Sequence, residues 1–403
     1  MDVLSHSLLP FFAILIVLIV VHELGHFVTA KLAGVKVLEF GLGYPPRLWG
    51  IKRGETEYTV NALPLGGFVR LLGEEDPSDP RSLAAKPRWV RLVVLASGAL
   101  MNVVLAVFLF SVALMVPREV DISRARISDV VPNSPAAEAG LQPGDVIFAI
   151  DGRNVQNTGD LGYQIRLHLG QTITMRVLRP GPDGAEFTDV RVYARWSAPN
   201  YVDEEGIEHG QGPTGITIGP AYFGSTQVIP PDERERIARE LPPGETVPTT
   251  RMIPASETQR VQPWDAVPDG ARKSWESLIL ARNEIISRIK GGLGGDSGFQ
   301  VTGPVGIAQL TGEVVEEAGW KSLMDFSALL SMNLAVLNIL PLPMLDGGRV
   351  VFVLLEYARR GKRVAPEREA MVHLVGLVAM LTLAAVITYF DVARLFSGDG
   401  IIR

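Results

Sequence analysis

Four stretches of the chain, 3–21, 92–116, 326–345 and 371–390, contain no Lys, Arg, Asp or Glu. Each comes close to the ~20 residues that a helix needs to cross the hydrocarbon core of a bilayer. The pattern predicts a multi-pass α-helical membrane protein with four transmembrane helices. The first stretch has no basic lead and runs into a His-Glu pair rather than a small-residue cleavage site, so it reads as a retained span and not a signal peptide. The loop 31–91 and the short link 359–368 are both rich in Lys and Arg. The positive-inside rule makes these two loops cytoplasmic. The N-terminus, the region 117–325 and the C-terminus are then expected outside.

Between the spans the periodicity changes. Residues 55–72 predict two short strands around a Pro-Leu-Gly-Gly turn, a β-hairpin that either faces solvent or dips towards the membrane. The apolar run from Leu63 to Val69 favours the membrane-associated form. Residues 127–179 read as strand, small helix, strand, helix, strand, with further strands at 190–193 and 214–218. The stretch 221–270 is rich in Pro, Glu, Arg and Thr, which predicts a loosely ordered insertion with one short charged helix at 232–240. At 271–290 a helical pattern resumes, with Trp275, Leu278, Ile279, Ile285, Ile286 and Ile289 able to lie on a membrane surface or pack on a soluble neighbour. Four parts result: 1–120 and 271–403 as the two halves of a membrane core, 121–220 as an α+β domain, and 221–270 as the insertion.

Composition adds exclusions. A net charge of −6 with no basic face points away from nucleic acid. With no cysteine in the chain, any metal must be held by imidazoles and carboxylates.

The candidate chemistry sits at the end of the first apolar stretch, in His22-Glu23-Leu24-Gly25-His26. Residues four apart share a helix face, so both imidazoles can reach one metal ion, with Glu23 beside them as general base for an activated water. Ionisable groups at membrane depth are costly, which favours function over an interfacial cluster. A catalytic zinc takes three protein ligands and keeps a fourth position open. The third candidate is Asp346, which follows Asn338-Ile-Leu-Pro-Leu-Pro-Met-Leu at a break made by prolines before and glycines after it. Irregular backbone at membrane depth is tolerated where it lines a protein cavity. His22 follows 19 uncharged residues of its span and Asp346 follows 20 of its own, so both arrive ~30 Å down, near the cytoplasmic side. Asn338 either lines this cavity or is a helix-packing amide. The Gly98–Asn102 segment reads as a small-residue face for helix contact. An edge strand at 59–69 would hold an unwound substrate by strand addition.

Together His22–His26, Leu63-Pro-Leu-Gly-Gly-Phe68, Gly303-Pro-Val-Gly-Ile307 and Asn338–Gly348 resemble the site-2 protease family, in its bacterial regulator-of-sigma-E form. Ser134-Pro-Ala-Ala-Glu-Ala-Gly140 with Gly144-Asp145 and Asp151-Gly152 is similar to the start of a PDZ domain. The resemblance covers the first and last hundred residues. It implies an intramembrane metalloendopeptidase with zinc as cofactor, His22, His26 and Asp346 as metal ligands, and Glu23 as the catalytic glutamate. It also implies substrate-binding roles for Asn338 and for Leu65, Gly66, Gly67 and Phe68 of the β-loop. The implied substrates are single-span membrane proteins already trimmed by another protease, such as anti-sigma factors or remnant signal peptides. The implied PDZ domain would filter them by size or bind peptide tails outside the membrane. Two features depart from the pattern: one PDZ signature stands where two are expected, and 221–269 has no counterpart. Two other classes fit parts of the sequence, a catalytically silent PDZ membrane scaffold and a membrane zinc hydrolase acting on lipid.

Overall fold

The computed structural model describes residues 7–74, 76–181, 184–202, 208–209, 211–221, 226–228, 250–252, 255–291 and 303–397, with isolated residues between 234 and 239. The chain opens with helix α1 (Leu9–Leu32), strands β1 (Val37–Arg53) and β2 (Thr56–Leu71) and helix α2 (Arg88–Met115). Next come β3 (Arg118–Asp121), β4 (Arg124–Val130), the short α3 (Pro135–Glu138), β5 (Val146–Ile150), β6 (Arg153–Asn154), α4 (Thr158–Leu167), β7 (Thr172–Gly181) and β8 (Gly184–Tyr193). Short strands follow: β9 (Tyr201–Val202), β10 (Glu208–His209), β11 (Ile216–Ala221), β12 (Thr226–Val228), β13 (Thr250–Met252) and β14 (Ser256–Gln259). The C-terminal part is helical: α5 (Pro263–Gly291), α6 (Pro304–Ala318), α7 (Ser322–Ile339), α8 (Asp346–Ala358) and α9 (Pro366–Ser397).

Two compact units result, one built from 1–116, 261–277 and 300–403, the other from 117–260 and 278–299. In the first, four helices are long and apolar enough to cross a membrane: Leu9–Leu32, Arg88–Met115, Ser322–Ile339 and Pro366–Ala393. The protein is a membrane protein with four such helices, as the charge-free stretches predict. In α1, Pro10 sits in the first turn, where a missing N–H costs nothing. Burial then falls on Leu18, His22, Gly25, His26 and Ala30, while Val17, Leu24 and Val28 stay exposed. An apolar helix exposed on its far side is built for lipid. Helix α2 packs against α1, α7 and α8. It buries Val94, Gly98, Asn102 and Ala106, a row spaced by four that forms one helix face.

The β-loop departs from expectation. The Pro-Leu-Gly-Gly segment is no turn; it lies inside the single strand β2. The reversal is instead at Gly54-Glu55, where Gly54 takes φ +61°, a conformation open to glycine at little cost. Residues 63–71 stay extended because distant partners hold them. Phe40 pairs with both Val69 and Tyr58, Gly41 with both Phe68 and Thr59, and Leu42 with both Gly67 and Val60. The middle of β1 is thus flanked on both sides by β2, which bends between Asn61 and Leu63. Glu55 ties the reversal to the end of α1 through Lys31 (2.9 Å) and to Arg81 (2.6 Å). Those hydrogen bonds, from Lys31 first and then Arg81, hold its carboxyl down at about 2.

Helix α7 stops at Ile339, and α8 restarts at Asp346. Pro341 and Pro343 supply no N–H to continue the helical ladder. Met344 adopts φ +75°, and its N–H donates to His373 Nδ1 of α9 at 2.9 Å. Helix α8 is fixed to α2 by a buried ion pair, Arg91 Nη1 to Glu356 Oε2 at 2.6 Å, with Arg88 and Arg363 at 3.5 and 3.4 Å from the same carboxylate. Such a pair specifies geometry more than it stabilises. Here it sets where α8, and so Asp346, can start.

In the second unit an antiparallel sheet runs β11-β4-β5-β7-β8, with β6 beside β5. Ile127, Ile147, Ile150, Leu161, Ile173, Met175 and Val177 form its core. Asp145 is fully buried and takes a two-pronged bond from Arg179 (2.8 and 2.7 Å), a geometry suited to guanidinium. Ser134 caps α3 and Asn157 caps α4 through backbone N–H groups. The charged helix expected at 232–240 lies outside the described residues, apart from a few isolated positions. The described parts of 221–270 form the pairs β12–β13 and β14–β3 and the first turns of α5, which starts at Pro263 and not at the expected 271.

Candidate metal centre

His22 and His26 both point from α1 towards α2, each 8% exposed. Their Nε2 atoms are 3.3 Å apart. Asp346 Oδ2, at the first turn of α8, lies 3.1 Å from each. Two ends of the sequence separated by more than three hundred residues therefore meet at one point. Among the described residues this is the one group of three such side chains within metal-holding reach.

The chemistry of the three donors decides what the site fits. His26 Nδ1 lies 2.8 Å from the Val94 carbonyl oxygen, so Nδ1 carries the proton and donates it. That leaves the neutral ring with a bare lone pair on Nε2, aimed at a carboxylate oxygen and at a second imidazole nitrogen. Two acceptors 3.1 Å apart, His26 Nε2 and Asp346 Oδ2, repel unless something positive lies between them. A tetrahedral zinc with bonds of about 2.0–2.1 Å needs its ligand atoms about 3.3 Å apart, and the observed edges are 3.1, 3.1 and 3.3 Å. The residues fit zinc.

Glu23 projects beside this group, half-buried. The Val69 backbone of β2 comes near its carboxylate. A Cβ on Gly67 would come within 2.7 Å of Ile19 Cγ2 and 3.1 Å of Glu23 Cγ, so the strand reaches α1 only because residue 67 has no side chain. The other β-loop residues divide. Gly66 faces the Tyr44 ring, and the Phe68 ring covers Gly41 and stacks near Tyr44 at 6.5 Å, so Phe68 packs within the sheet. Leu65 lies on β2, but its side chain is outside the described residues. Asn338 is buried in the last turn of α7, with no hydrogen bond to His22, His26 or Asp346 among the described residues.

Helix α2 contributes more than the sequence suggested. The Gly98–Asn102 face does serve helix contact, with Gly25 of α1 against the Ser97 carbonyl. It also touches the imidazoles. A Cβ at Gly98 would lie 2.6 and 2.7 Å from His22 Cε1 and Nε2, and closer still to His26 Nε2. Asn102 Nδ2 lies 3.3 Å from His22 Nδ1. The available signal was the spacing Val94, Gly98, Asn102, one face by fours. Nothing local says which helix that face meets. His373, which holds Met344, also went unnoticed in sequence; its signal was an ionisable side chain inside an apolar stretch.

Four membrane-length helices and a His-His-Asp group able to hold a metal ion describe a membrane protein with a candidate metal centre. Residues 10–383 match the profile of peptidase family M50, and the chain belongs to that family. A Clostridium perfringens protein named as a zinc metalloprotease is 34% identical over 378 residues, covering 93% of this chain and 95% of its own. One from Nostoc sp., similarly named, is 32% identical over 390 residues, 94% of this chain and 93% of its own. Zinc metalloprotease RasP of Bacillus licheniformis is 26% identical, covering 97% of this chain and all of its own length. The protein is a zinc metalloprotease of the membrane.

Proposed function

We propose that this protease cuts single-span membrane proteins within or beside the bilayer, with His22, His26 and Asp346 holding zinc and Glu23 as general base. The carrying observation is the convergence of two imidazoles and a carboxylate at one point on apolar helices, with Glu23 alongside. Zinc, when bound, supplies Lewis-acid polarisation of the scissile carbonyl. Glu23 takes a proton from the attacking water and passes it to the leaving amine. Because residues 67–71 run past Glu23, a substrate unwound along this lane of β2 would bring its backbone to the general base. Asn338, Leu65, Gly66, Gly67 and Phe68 are assigned to the same substrate path.

The sidedness proposed is that of the positive-inside reading, with the second unit outside and the centre near the cytoplasmic face. The second unit is proposed as a PDZ-type domain that filters substrates by size or takes up peptide tails. Support comes from its strand and helix order and from the buried Asp145 in the Gly144-Asp145 turn. Substrates first trimmed by another protease, such as anti-sigma factors or remnant signal peptides, follow from that filter.

The test uses full-length protein in liposomes with a tagged single-span substrate. Cleavage should be lost with a zinc chelator and return on adding zinc, while lipid stays intact. Chelator-insensitive cleavage, or hydrolysis of lipid with the polypeptide untouched, would overturn the proposal.

A further inference from the structure

The support of the two histidines is uneven in a way that assigns a role to Asn102. His26 has its Nδ1–H taken by the Val94 carbonyl, which commits Nε2 to the lone pair a metal requires. His22 meets only Asn102 at its own Nδ1, at 3.3 Å. With the amide placed so that Nδ2 faces the ring, His22 Nδ1 must accept, and the ring proton moves to Nε2, where it blocks coordination. The same placement leaves Asn102 Oδ1 buried with no hydrogen-bond partner, in a residue that is 0% exposed. A buried carbonyl oxygen without a donor is costly. A half-turn of the amide exchanges the two atoms and settles the histidine's side of the contact. Oδ1 then accepts from His22 Nδ1–H, and Nε2 is left bare towards Asp346 and His26. Amide oxygen and nitrogen are assigned from just such networks.

We infer that Asn102 is a positioning residue for the metal centre: its side-chain oxygen accepts the Nδ1 proton of His22 and so selects the ring form that binds zinc. Helix α2 then supplies one acceptor per histidine, Val94 carbonyl for His26 and Asn102 amide for His22. Eight residues separate them, two turns along one face, and Gly98 between them makes room for both rings. This rests on the zinc reading proposed above. The helix contact made at this position does not depend on the side chain, since Ser331 Oγ of α7 donates to the Asn102 backbone carbonyl at 2.8 Å.

The test compares wild type with Asn102→Leu and Asn102→Asp, as full-length protein in detergent, by zinc competition against a chromophoric chelator and by the visible spectrum after cobalt substitution. Loss of such an outer partner typically weakens metal binding about 10–100-fold. Asn102→Leu should show that loss and an altered cobalt spectrum, with metal-free melting unchanged. Asn102→Asp, which keeps an acceptor oxygen, should bind zinc as tightly as wild type or tighter. Equal zinc affinity in Asn102→Leu, or equal losses in Leu and Asp, would overturn the role of Asn102 while leaving the zinc site standing. Absence of zinc from wild type and from His22→Ala alike would overturn both.

Discussion

Replacing Glu23 by Gln is expected to lower the cleavage rate by about 10²–10⁴-fold while leaving zinc content at the wild-type level. The substitution keeps shape and hydrogen-bonding capacity but removes the group that can take a proton. Glu23 is not among the three converging donors, so the metal should stay. The approach of β2 should also survive, because Gln keeps the Cγ that lies beside Gly67. The expected signature is therefore a fall in kcat with little change in substrate affinity, read from single-turnover cleavage alongside elemental analysis. Full activity in Glu23→Gln would move the general base elsewhere. Loss of zinc with activity would instead make Glu23 a ligand.

The second large effect comes from adding one methyl group. Ala is a better helix former than Gly by about 1 kcal/mol, so Gly98→Ala should strengthen α2 taken alone. At this position the new Cβ would lie inside the contact distances of both imidazoles. Ring carbons and nitrogens anchored on the neighbouring helix cannot yield as the end of a flexible side chain can. The rings must turn away or the helices must part, and either change breaks the triangle with Asp346. Expected is a loss of zinc affinity beyond about 100-fold, since at least one ligand is displaced and not merely loosened. Melting of the metal-free protein should be no higher than wild type, because the clash offsets the gain in helix propensity. Wild-type zinc affinity in Gly98→Ala would show that the rings adopt other positions in the working enzyme.

Much of this was legible in the sequence, for identifiable reasons. A helix in hydrocarbon must exclude charge over a length set by the bilayer, so the four spans appear as charge-free runs. The His22–His26 pair follows from the helical repeat alone. Asp346 stood out because Pro341, Pro343 and the following glycines interrupt an apolar helix where no interruption is expected. Local patterns failed where distant partners decide the outcome. Pro64-Leu-Gly-Gly67 has turn chemistry, yet pairing with Gly41–Tyr44 keeps it extended, and the glycine at 67 serves close approach to α1. Asn102 and Gly98 look like ordinary packing residues until α1 is docked against them. The Phe68 ring lies over Gly41, its cross-strand partner, a contact that no local pattern announces.

The account rests on one zinc ion held jointly by α1 and α8. Zinc content of the purified wild-type protein, measured beside His22→Ala and Asp346→Ala, tests this most directly. About one zinc per chain is predicted for wild type and almost none for either variant, since two remaining ligands bind too weakly to survive purification. Asp346→Ala carrying as much zinc as wild type would contradict it.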